Sequence, residues 1–376
     1  MKKWIVICFV LNTVGSACAA PLLGVSPSVL HEVTRFVVPT GPKSLRFTPD
    51  GREVVVDCLY AHQVVVLDST TYQTVRVIPV PDEPVECAIT ADSADAWVSL
   101  YNTRRILEID LATGKILHTV PVGAIPKVVA LSPDGRWVFV ANWDSGTVTA
   151  IDAASGTRVS DIPVGSVPRG ICFTHDGRYA YIAIMGGSTL AKVDVLTRMV
   201  VAQIPVGRNP RHVVLDADDA FAYVSNNRLG IVSKVDLASE KVVGRARVGK
   251  NPRTIALAPR GDALYVCNYG SDTLGVVDIA AMREVSCYPT RTHPIGVTVC
   301  PDGRDVWVSS YRTSTVHVFR CEVASAPSPP SPGDQAIPAR MTKPPIPARV
   351  PLRFTLILLP LFVLLGVALW LIFTRR

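Results

Sequence analysis

At 376 residues the chain is long enough for two domains, but a repeat of fixed period makes most of it a single one. Its net charge of +7 comes mainly from the two ends, because residues 30–321 contain 30 basic and 29 acidic residues. This balance excludes a polyanion-binding surface that covers the whole repeat region, so any basic patch must be local.

The first 19 residues have the pattern of a secretory signal peptide. Residues 1–3 carry two lysines, residues 4–11 are apolar, and residues 17–19 supply the small side chains of a cleavage site. The alternative is that Cys18 carries a lipid, although the leucine usual before such a cysteine is missing. Residues 20–29 follow as a lead segment without features.

A proline that recurs every 42 residues sets the organisation of residues 30–321. A period of this length is typical of stacked units that bury their apolar faces only against one another. The repeat prolines are Pro42, Pro84, Pro126, Pro168, Pro210, Pro252 and Pro294.

The third repeat shows the elements that we predict for each unit. Strands are predicted at residues 127–131, 137–142, 147–151 and 158–163, and Asp134-Gly135 supplies the first tight turn. Four short strands in about 42 residues are typical of one blade of a β-propeller.

The seventh repeat lacks a fourth strand, whereas the β-branched stretch at residues 31–38 resembles the last strand of a repeat. Pairing the two would remove the open sheet edges. The sequence therefore predicts an all-β, seven-bladed β-propeller of four-stranded blades over residues 30–321, closed by an N-terminal strand.

The C-terminal part predicts a membrane anchor. Residues 322–352 form a Pro-rich linker, residues 353–374 a transmembrane helix, and residues 375–376 a cytoplasmic tail. The propeller is then secreted across the cytoplasmic membrane and displayed on its periplasmic or extracellular side. A sorting tail that is removed is the alternative.

Seven cysteines follow the signal peptide, and no CxxC occurs among them. Zinc ribbons and covalently attached haem are disfavoured, and we predict neither a metal site nor a cofactor. Most of these cysteines lie in strand-like runs and are expected to be buried free thiols. Cys58 and Cys87 are a weak candidate pair for a disulfide.

The second strands of repeats three, five and six read FVAN, YVSN and YVCN at residues 139–142, 223–226 and 265–268. With the Ser-Pro-Asp-Gly turns and Val235-Asp236-Leu237, they resemble the YVTN-repeat β-propeller family, which includes bacterial periplasmic YncE-like proteins and archaeal surface-layer proteins. The resemblance indicates the fold, but says little about function. The asparagine is replaced in the other repeats by Cys58, Leu100, Ile184 and Ser310.

The residue after the repeat proline is basic in five of the seven repeats. The resemblance implies that this position opens the innermost strand at the mouth of the central channel. Like charges around one axis repel unless an anion lies among them, so we predict an anionic ligand here. The alternative, favoured because repeated positions usually serve the scaffold, is that each pairs with a blade aspartate. The residues are Lys43, Lys127, Arg169, Arg211 and Arg253.

Two sets of aromatic residues recur. One set opens the second strand and is interpreted as packing between blades: Trp97, Phe139, Tyr181, Tyr223, Tyr265 and Trp307. The other follows the second strand and is expected on the same face as the basic residues: Tyr101, Trp143, Tyr269 and Tyr311. Aromatic side chains beside cations suit sugar rings or exposed bases, and the alternative is that they cap the blade edges.

Signals for catalysis are few. His212 is the one histidine that follows a basic position, and we interpret it as a surface or channel histidine and not as a general base. The sequence contains neither a nucleophile elbow nor a phosphate-binding glycine loop.

These patterns favour a monomeric, non-enzymatic binding or scaffold protein of the cell envelope. Its partner would be an envelope protein, a polysaccharide or another anionic ligand that docks at the channel mouth. The first alternative is a lactonase- or lyase-like enzyme with its active site there. The second is a nucleic-acid-binding, YncE-like protein, which the near-neutral repeat region disfavours.

Overall fold

The computed structural model describes residues 29–322, and these form seven four-stranded antiparallel sheets. The predicted signal peptide, membrane helix and tail lie outside the described residues, as do nearly all of the lead segment and of the linker. Within residues 29–322, no helix is long and apolar enough to cross a membrane.

Each sheet is one blade. Its four strands follow one another from the innermost strand, next to the channel, to the outermost. Blades one to four contain β2 (Pro42–Phe47), β3 (Glu53–Cys58), β4 (Gln63–Asp68) and β5 (Thr74–Pro79); β6 (Pro84–Ile89), β7 (Asp95–Leu100), β8 (Arg105–Asp110) and β9 (Ile116–Pro121); β10 (Pro126–Leu131), β11 (Trp137–Asn142), β12 (Thr147–Asp152) and β13 (Thr157–Pro163); and β14 (Pro168–Phe173), β15 (Tyr179–Ile184), β16 (Thr189–Asp194) and β17 (Met199–Pro205). A single turn of 3-10 helix, Leu59–Ala61, follows β3.

The remaining blades have the same plan. They contain β18 (Pro210–Leu215), β19 (Phe221–Asn226), β20 (Ile231–Asp236) and β21 (Lys241–Arg247); β22 (Pro252–Leu257), β23 (Ala263–Asn268), β24 (Thr273–Asp278) and β25 (Arg283–Pro289); and β26 (Pro294–Val299), β27 (Asp305–Ser310), β28 (Thr315–Glu322) and β1 (Val29–Val37). The inner strands of successive blades lie side by side, and that of blade seven lies beside that of blade one. The seven-bladed ring is therefore confirmed.

The core lies between the blades, where apolar faces of neighbouring sheets meet. The aromatic residues that open the second strands are at most 3% exposed, so the prediction that they pack between blades is confirmed. Trp307 is surrounded by Phe36, Phe47 and Tyr72, with ring centroids 5.6–5.8 Å away.

The ring closes through β1, as predicted, although this strand begins two residues earlier than expected. It pairs antiparallel with β28 from Val29 opposite Glu322 to Val37 opposite Thr315. His317 Nδ1 lies 2.8 Å from Glu32 Oε1, and its Nε2 accepts a hydrogen bond of 3.0 Å from the Arg291 N–H. The closure thus joins the two ends of the described chain and gives blade seven its fourth strand.

All seven cysteines of the described region are free. Cys58, Cys87, Cys267, Cys300 and Cys321 are buried, as expected, whereas Cys172 is partly buried and Cys287 is exposed. The weak candidate disulfide between Cys58 and Cys87 is not formed.

The aspartate that ends the third strand caps the next turn. Its carboxylate accepts backbone N–H groups two or three residues later, for example 2.7 Å from Thr113 N to Asp110 Oδ1. Blade seven has Arg320 at this position because β28 continues there and pairs with β1. Arg320 instead forms an ion pair of 2.9 Å with Asp305.

At the opposite end of each blade, two loops are joined by a backbone hydrogen bond. In six blades the N–H after the second strand donates to the carbonyl before the repeat proline, as from Trp143 to Ile125 at 2.9 Å, whereas in blade six the Gly270 N–H donates to the Lys250 carbonyl at 2.9 Å. The residue before the proline has a positive φ in six blades: Gly41, Ile125, Val167, Asn209, Asn251 and His293. A β-branched side chain is strained in this conformation, whereas glycine and asparagine adopt it readily.

Replacing Ile125 with Asn is expected to stabilise the propeller by about 1 kcal/mol, because Asn tolerates the φ of 56° at this position. Chemical denaturation would measure the change. The matched control is Asn209→Ile in blade five, which should lose a similar amount. Equal stabilities of the variants and the wild type would contradict the strain at this position.

Candidate functional site

The five basic residues, which we call the basic ring, occupy the second position of β2, β10, β14, β18 and β22. Because these are inner strands that start at the same end of the channel, the side chains converge at one mouth. The pKa of Lys43 is lowered well below its usual value, first by burial and then by the four other members of the ring. The basic ring is thus a single electrostatic unit.

No acid forms an ion pair with these cations, although Glu86 partly offsets the lowering of the pKa of Arg169 and Arg211. Among residues 29–322, none of the five side chains forms an ion pair or donates a hydrogen bond. The Nε atoms of Arg169 and Arg253 are buried without a hydrogen-bond partner. The interpretation that each basic residue pairs with a blade aspartate is therefore wrong.

Burial and mutual repulsion both disfavour the charged forms. Burial lowers the pKa of Lys127 to about 7, and Arg169 and Arg211 lower it further against the weaker opposing effect of nearby glutamates. Burial also lowers the pKa of Arg169 to about 10, so this side chain stays charged at neutral pH. An anion among these groups would reverse the effect, since opposite charges favour the protonated forms.

The second aromatic set lies beside the basic ring, as expected. Lys127 Nζ lies 3.6 Å from the Tyr101 ring centroid and 6.0 Å from that of Trp143. The Arg253 guanidinium lies 3.4 Å over Tyr269. These rings stabilise the cations through cation–π contacts, which partly offset the missing counter-ions.

Blade one contributes another aromatic contact at the mouth. Lys43 Nζ lies 5.3 Å from the Tyr311 ring, and the Tyr311 hydroxyl lies 2.5 Å from that of Tyr60. Tyr60 is missed by the sequence analysis, because the first repeat has Leu59 where other repeats have an aromatic residue.

Two serines, which the sequence analysis did not single out, hold the backbone of basic-ring residues in place. Ser99 Oγ donates a hydrogen bond of 2.6 Å to the Lys127 carbonyl, and Ser225 Oγ donates one of 2.6 Å to the Arg253 carbonyl. Each bond runs from one blade to the next, and both serines are fully buried. The position of a ring residue is thus set by the preceding blade.

Glu86 and His212 line a cavity of about 20 Å³ together with Lys43, Arg169 and Arg211 of the basic ring. Both residues also line a wider cavity of about 240 Å³. The Glu86 carboxylate forms an ion pair of 3.3 Å with Arg46. Glu86 occupies the same position in its inner strand as His212, and this shared position was the signal by which the sequence could have found it.

His212 lies within the channel and is 8% exposed. Burial lowers its pKa to about 4, so the imidazole is neutral at pH 7. Its Nδ1 atom is buried and has no hydrogen-bond partner among the described residues. This unpartnered nitrogen is a further polar group that a bound ligand or water could satisfy.

The asparagines that end the second strands serve the scaffold. Asn142 Nδ2 donates to the hydroxyls of Thr147 and Thr149 at 3.1 and 2.8 Å, and Asn226 Nδ2 donates to the Val206 carbonyl at 3.2 Å. Both asparagines are fully buried. Asn142 thus joins strands of its own blade, whereas Asn226 joins its blade to the connection from blade four.

Two kinds of comparison agree with this architecture. A family model described as "Lactonase, 7-bladed beta-propeller" matches residues 188–327, which is less than half of the chain. The chain is a seven-bladed β-propeller. It is similar in structure to a chain from Kuenenia stuttgartiensis hydrazine synthase (TM-score 0.69, 22% identity, 76% of this chain and 98% of that one).

A second similar structure is the β-propeller domain of Cps50 (Swd1) from Myceliophteria thermophila. Its TM-score is 0.69 at 12% identity, over 78% of this chain and 100% of that one. No curated protein matches the chain in sequence. At these identities, the two structures indicate the fold alone, and the function has to be argued from the site.

Proposed function

We propose that this protein is a binding protein that holds an anionic ligand in the basic ring at the channel mouth. The observation that carries the proposal is the convergence of five cations that lack any ion pair with the described acids. Such a cluster repels itself when empty and is stabilised when an anion enters.

The chemistry of the basic ring favours carboxylate or phosphate. Each arginine offers parallel N–H donors that match two oxygens of either group, and the lysines add charge without a fixed direction. Arg169 and Lys127 are 9% and 7% exposed, so an anion that reaches them leaves most of its water behind. Interactions in such a site are stronger than those on an open surface.

The proposal extends to the cell envelope. The predicted signal peptide and membrane helix support a propeller anchored on the outer side of the cytoplasmic membrane, and the repeat motifs support a place in the YVTN-repeat family. In this setting the channel mouth would be available to an envelope component.

A second candidate is hydrolysis of an anionic ester or lactone in the channel. The matched family region contains Arg211, His212 and Arg253, and neutral His212 lies beside Glu86 in the narrow cavity. Turnover of lactones by the wild type, and its loss in His212→Gln, would favour this candidate over simple binding.

The binding proposal is tested by thermal unfolding with increasing citrate or sulfate. The wild type should be stabilised as either anion occupies the basic ring, because binding to the folded state alone raises its stability. The triple variant Arg169→Gln, Arg211→Gln, Arg253→Gln should lose this response and its calorimetric binding signal.

The matched control replaces three exposed arginines at the other end of the blades, Arg52, Arg178 and Arg260, with Gln. It should respond to anions like the wild type. If the ring variant and the wild type were stabilised equally, the basic ring would not be the binding site.

A further inference from the structure

The loops at the two ends of the propeller carry opposite charge. We call the end that holds the basic ring the mouth face; its loops are the connections between second and third strands and those that lead into each inner strand. Besides the basic ring, these loops contain six basic residues, Arg104, Arg208, Arg228, Lys250, Arg291 and Arg312, and four acids, Asp82, Glu83, Asp144 and Asp272.

The loops at the other end contain more acids than bases. Their acids are Asp50, Asp92, Asp134, Asp176, Asp216, Asp218, Asp219, Glu240, Asp262 and Asp302, and their bases are Arg52, Lys115, Arg136, Arg178, Arg198, Arg260 and Arg304. The near-neutral repeat region thus contains a positive face and a negative one. A face with one sign of charge attracts extended ligands of the opposite sign.

A groove on the mouth face concentrates this charge between blades five and six. The cavity measures about 410 Å³, and Arg228, Arg247 and Lys250 contribute to its lining. No acid lines it, and none of the three cations forms an ion pair within residues 29–322. The groove therefore offers a second place for negative charge, outside the channel.

The groove adjoins the basic ring. Asn251 lines the groove and stands two residues before Arg253, and Asn227 Nδ2 donates a hydrogen bond of 3.1 Å to the Pro252 carbonyl between them. This bond fixes the groove wall to the start of an inner strand. One extended ligand can thus occupy the basic ring and the groove together, which increases its effective concentration at the second site.

The polar groups of the groove distinguish between classes of polyanion. Asn227 and Asn251 donate their amide N–H groups to the Pro252 and Asn227 carbonyls, so that their side-chain oxygens are left as acceptors. A sugar hydroxyl can donate to such an oxygen, whereas an inorganic phosphate chain has no donor at neutral pH.

Stacking of nucleic acid bases is disfavoured at the basic ring. Lys127 and Arg253 already lie over the Tyr101 and Tyr269 rings at 3.6 and 3.4 Å. Single-strand binding depends on such aromatic faces being open to the bases. The remaining chemistry, charge with hydroxyl recognition, fits a carboxylate-bearing sugar polymer best.

We propose that the mouth face binds an acidic polysaccharide, which places one carboxylate in the basic ring and a further stretch of sugar units in the groove of Arg228, Arg247 and Lys250. This inference rests on the proposed function for its first contact and adds the second site and the ligand class.

The test compares galacturonate, as monomer, with oligogalacturonates of increasing length in calorimetric titrations. The wild type should bind the long oligomers more tightly than the monomer, and the gain should shrink with added salt. The groove variant Arg228→Gln, Arg247→Gln, Lys250→Gln should lose about tenfold or more in affinity for the long oligomers. Its binding of citrate in the basic ring should not change.

Three outcomes would overturn the inference. The groove variant could bind long oligomers as the wild type does, neutral dextran could compete equally, or polyphosphate or single-stranded DNA could bind more tightly than the uronate. If the wild type did not bind citrate, the proposed function would be contradicted instead. The two failures are therefore distinguishable. The triple variant at Arg52, Arg178 and Arg260 again serves as the control for charge.

Discussion

In buffer without multivalent anions, Lys127→Met is expected to be more stable than the wild type by about 2 kcal/mol near neutral pH. Lys127 is 7% exposed and faces Arg169 and Arg211 without a counter-ion. A methionine fills nearly the same space, packs on Tyr101 and removes the repulsion. The variant should nevertheless bind anions more weakly, because stability and ligand affinity make opposite demands on this position.

The pKa of Lys127 determines whether the stability of the wild type rises or falls with pH. The pKa of Lys127 is about 7 in the folded protein and lies near 10.4 in an unfolded chain. Between these values the unfolded state binds more protons, so the wild type should gain stability as the pH rises from 7 towards 10. Below pH 7 the charged lysine destabilises the fold in full.

The measurement is the denaturation midpoint at pH 6, 7.5 and 9. The advantage of Lys127→Met should be largest at pH 6 and should become smaller at pH 7.5 and again at pH 9. Lys115→Met is the control, since Lys115 is exposed at the other end of blade two. An advantage that did not change with pH would show that packing, and not charge, separates the variant from the wild type.

A bound anion has the opposite effect on the protonation of Lys127. An anion in the basic ring favours the protonated lysine, so binding takes up a proton and the affinity should fall as the pH rises through 7. The empty ring is thus destabilised in the pH range in which the ligand binds best. We infer that the basic ring lowers the stability of the empty propeller because its function requires a bound anion.

The sequence predicts the ring of blades because the 42-residue period carries the apolar pattern of each strand. The closure by β1 follows from the same pattern, since a β-branched stretch without a partner matches a repeat without a fourth strand. The basic ring is found because one position in every inner strand points to the channel. Features that repeat along the chain can therefore be predicted from the sequence.

Features that do not repeat along the chain could not be predicted in this way. Glu86 and Tyr60 each occur in a single blade, and the groove is formed by the β19–β20 loop and the connection from β21 to β22. The wrong pairing of basic residues with aspartates has a physical reason. Those aspartates cap turns such as the one after Asp110, at the end of the blade away from the mouth. The charge of each face also becomes visible only when alternate loops are assigned to alternate ends.

Leu30→Cys is expected to form a disulfide with Cys321 and to lock the ring closed. Leu30 lies opposite Cys321 in the pairing of β1 with β28. The Leu30 N–H donates to the Tyr288 hydroxyl and the Cys321 N–H to the Arg304 carbonyl, so both point away from the shared edge. This is the non-hydrogen-bonded kind of pair, with Cα atoms about 4.5 Å apart, which a disulfide can bridge.

The bond would close a loop of nearly the whole propeller. Loop-closure entropy for such a length is worth about 5 kcal/mol, and the lost Leu30 side chain costs about 2 kcal/mol, so the oxidised variant should gain about 3 kcal/mol. Burial raises the pKa of the Cys321 thiol, so oxidation should be run at alkaline pH with oxidised glutathione.

Unfolding with and without reductant separates the disulfide from the substitution. The reduced variant should be less stable than the wild type, and the oxidised one more stable. Leu30→Cys combined with Cys321→Ser should stay in the weaker state under both conditions, because it has no partner at the shared edge. If oxidation left the midpoint of Leu30→Cys unchanged although mass spectrometry showed the bond, the expected stabilisation by loop closure would be contradicted. If no bond formed, the register that closes the ring would be wrong.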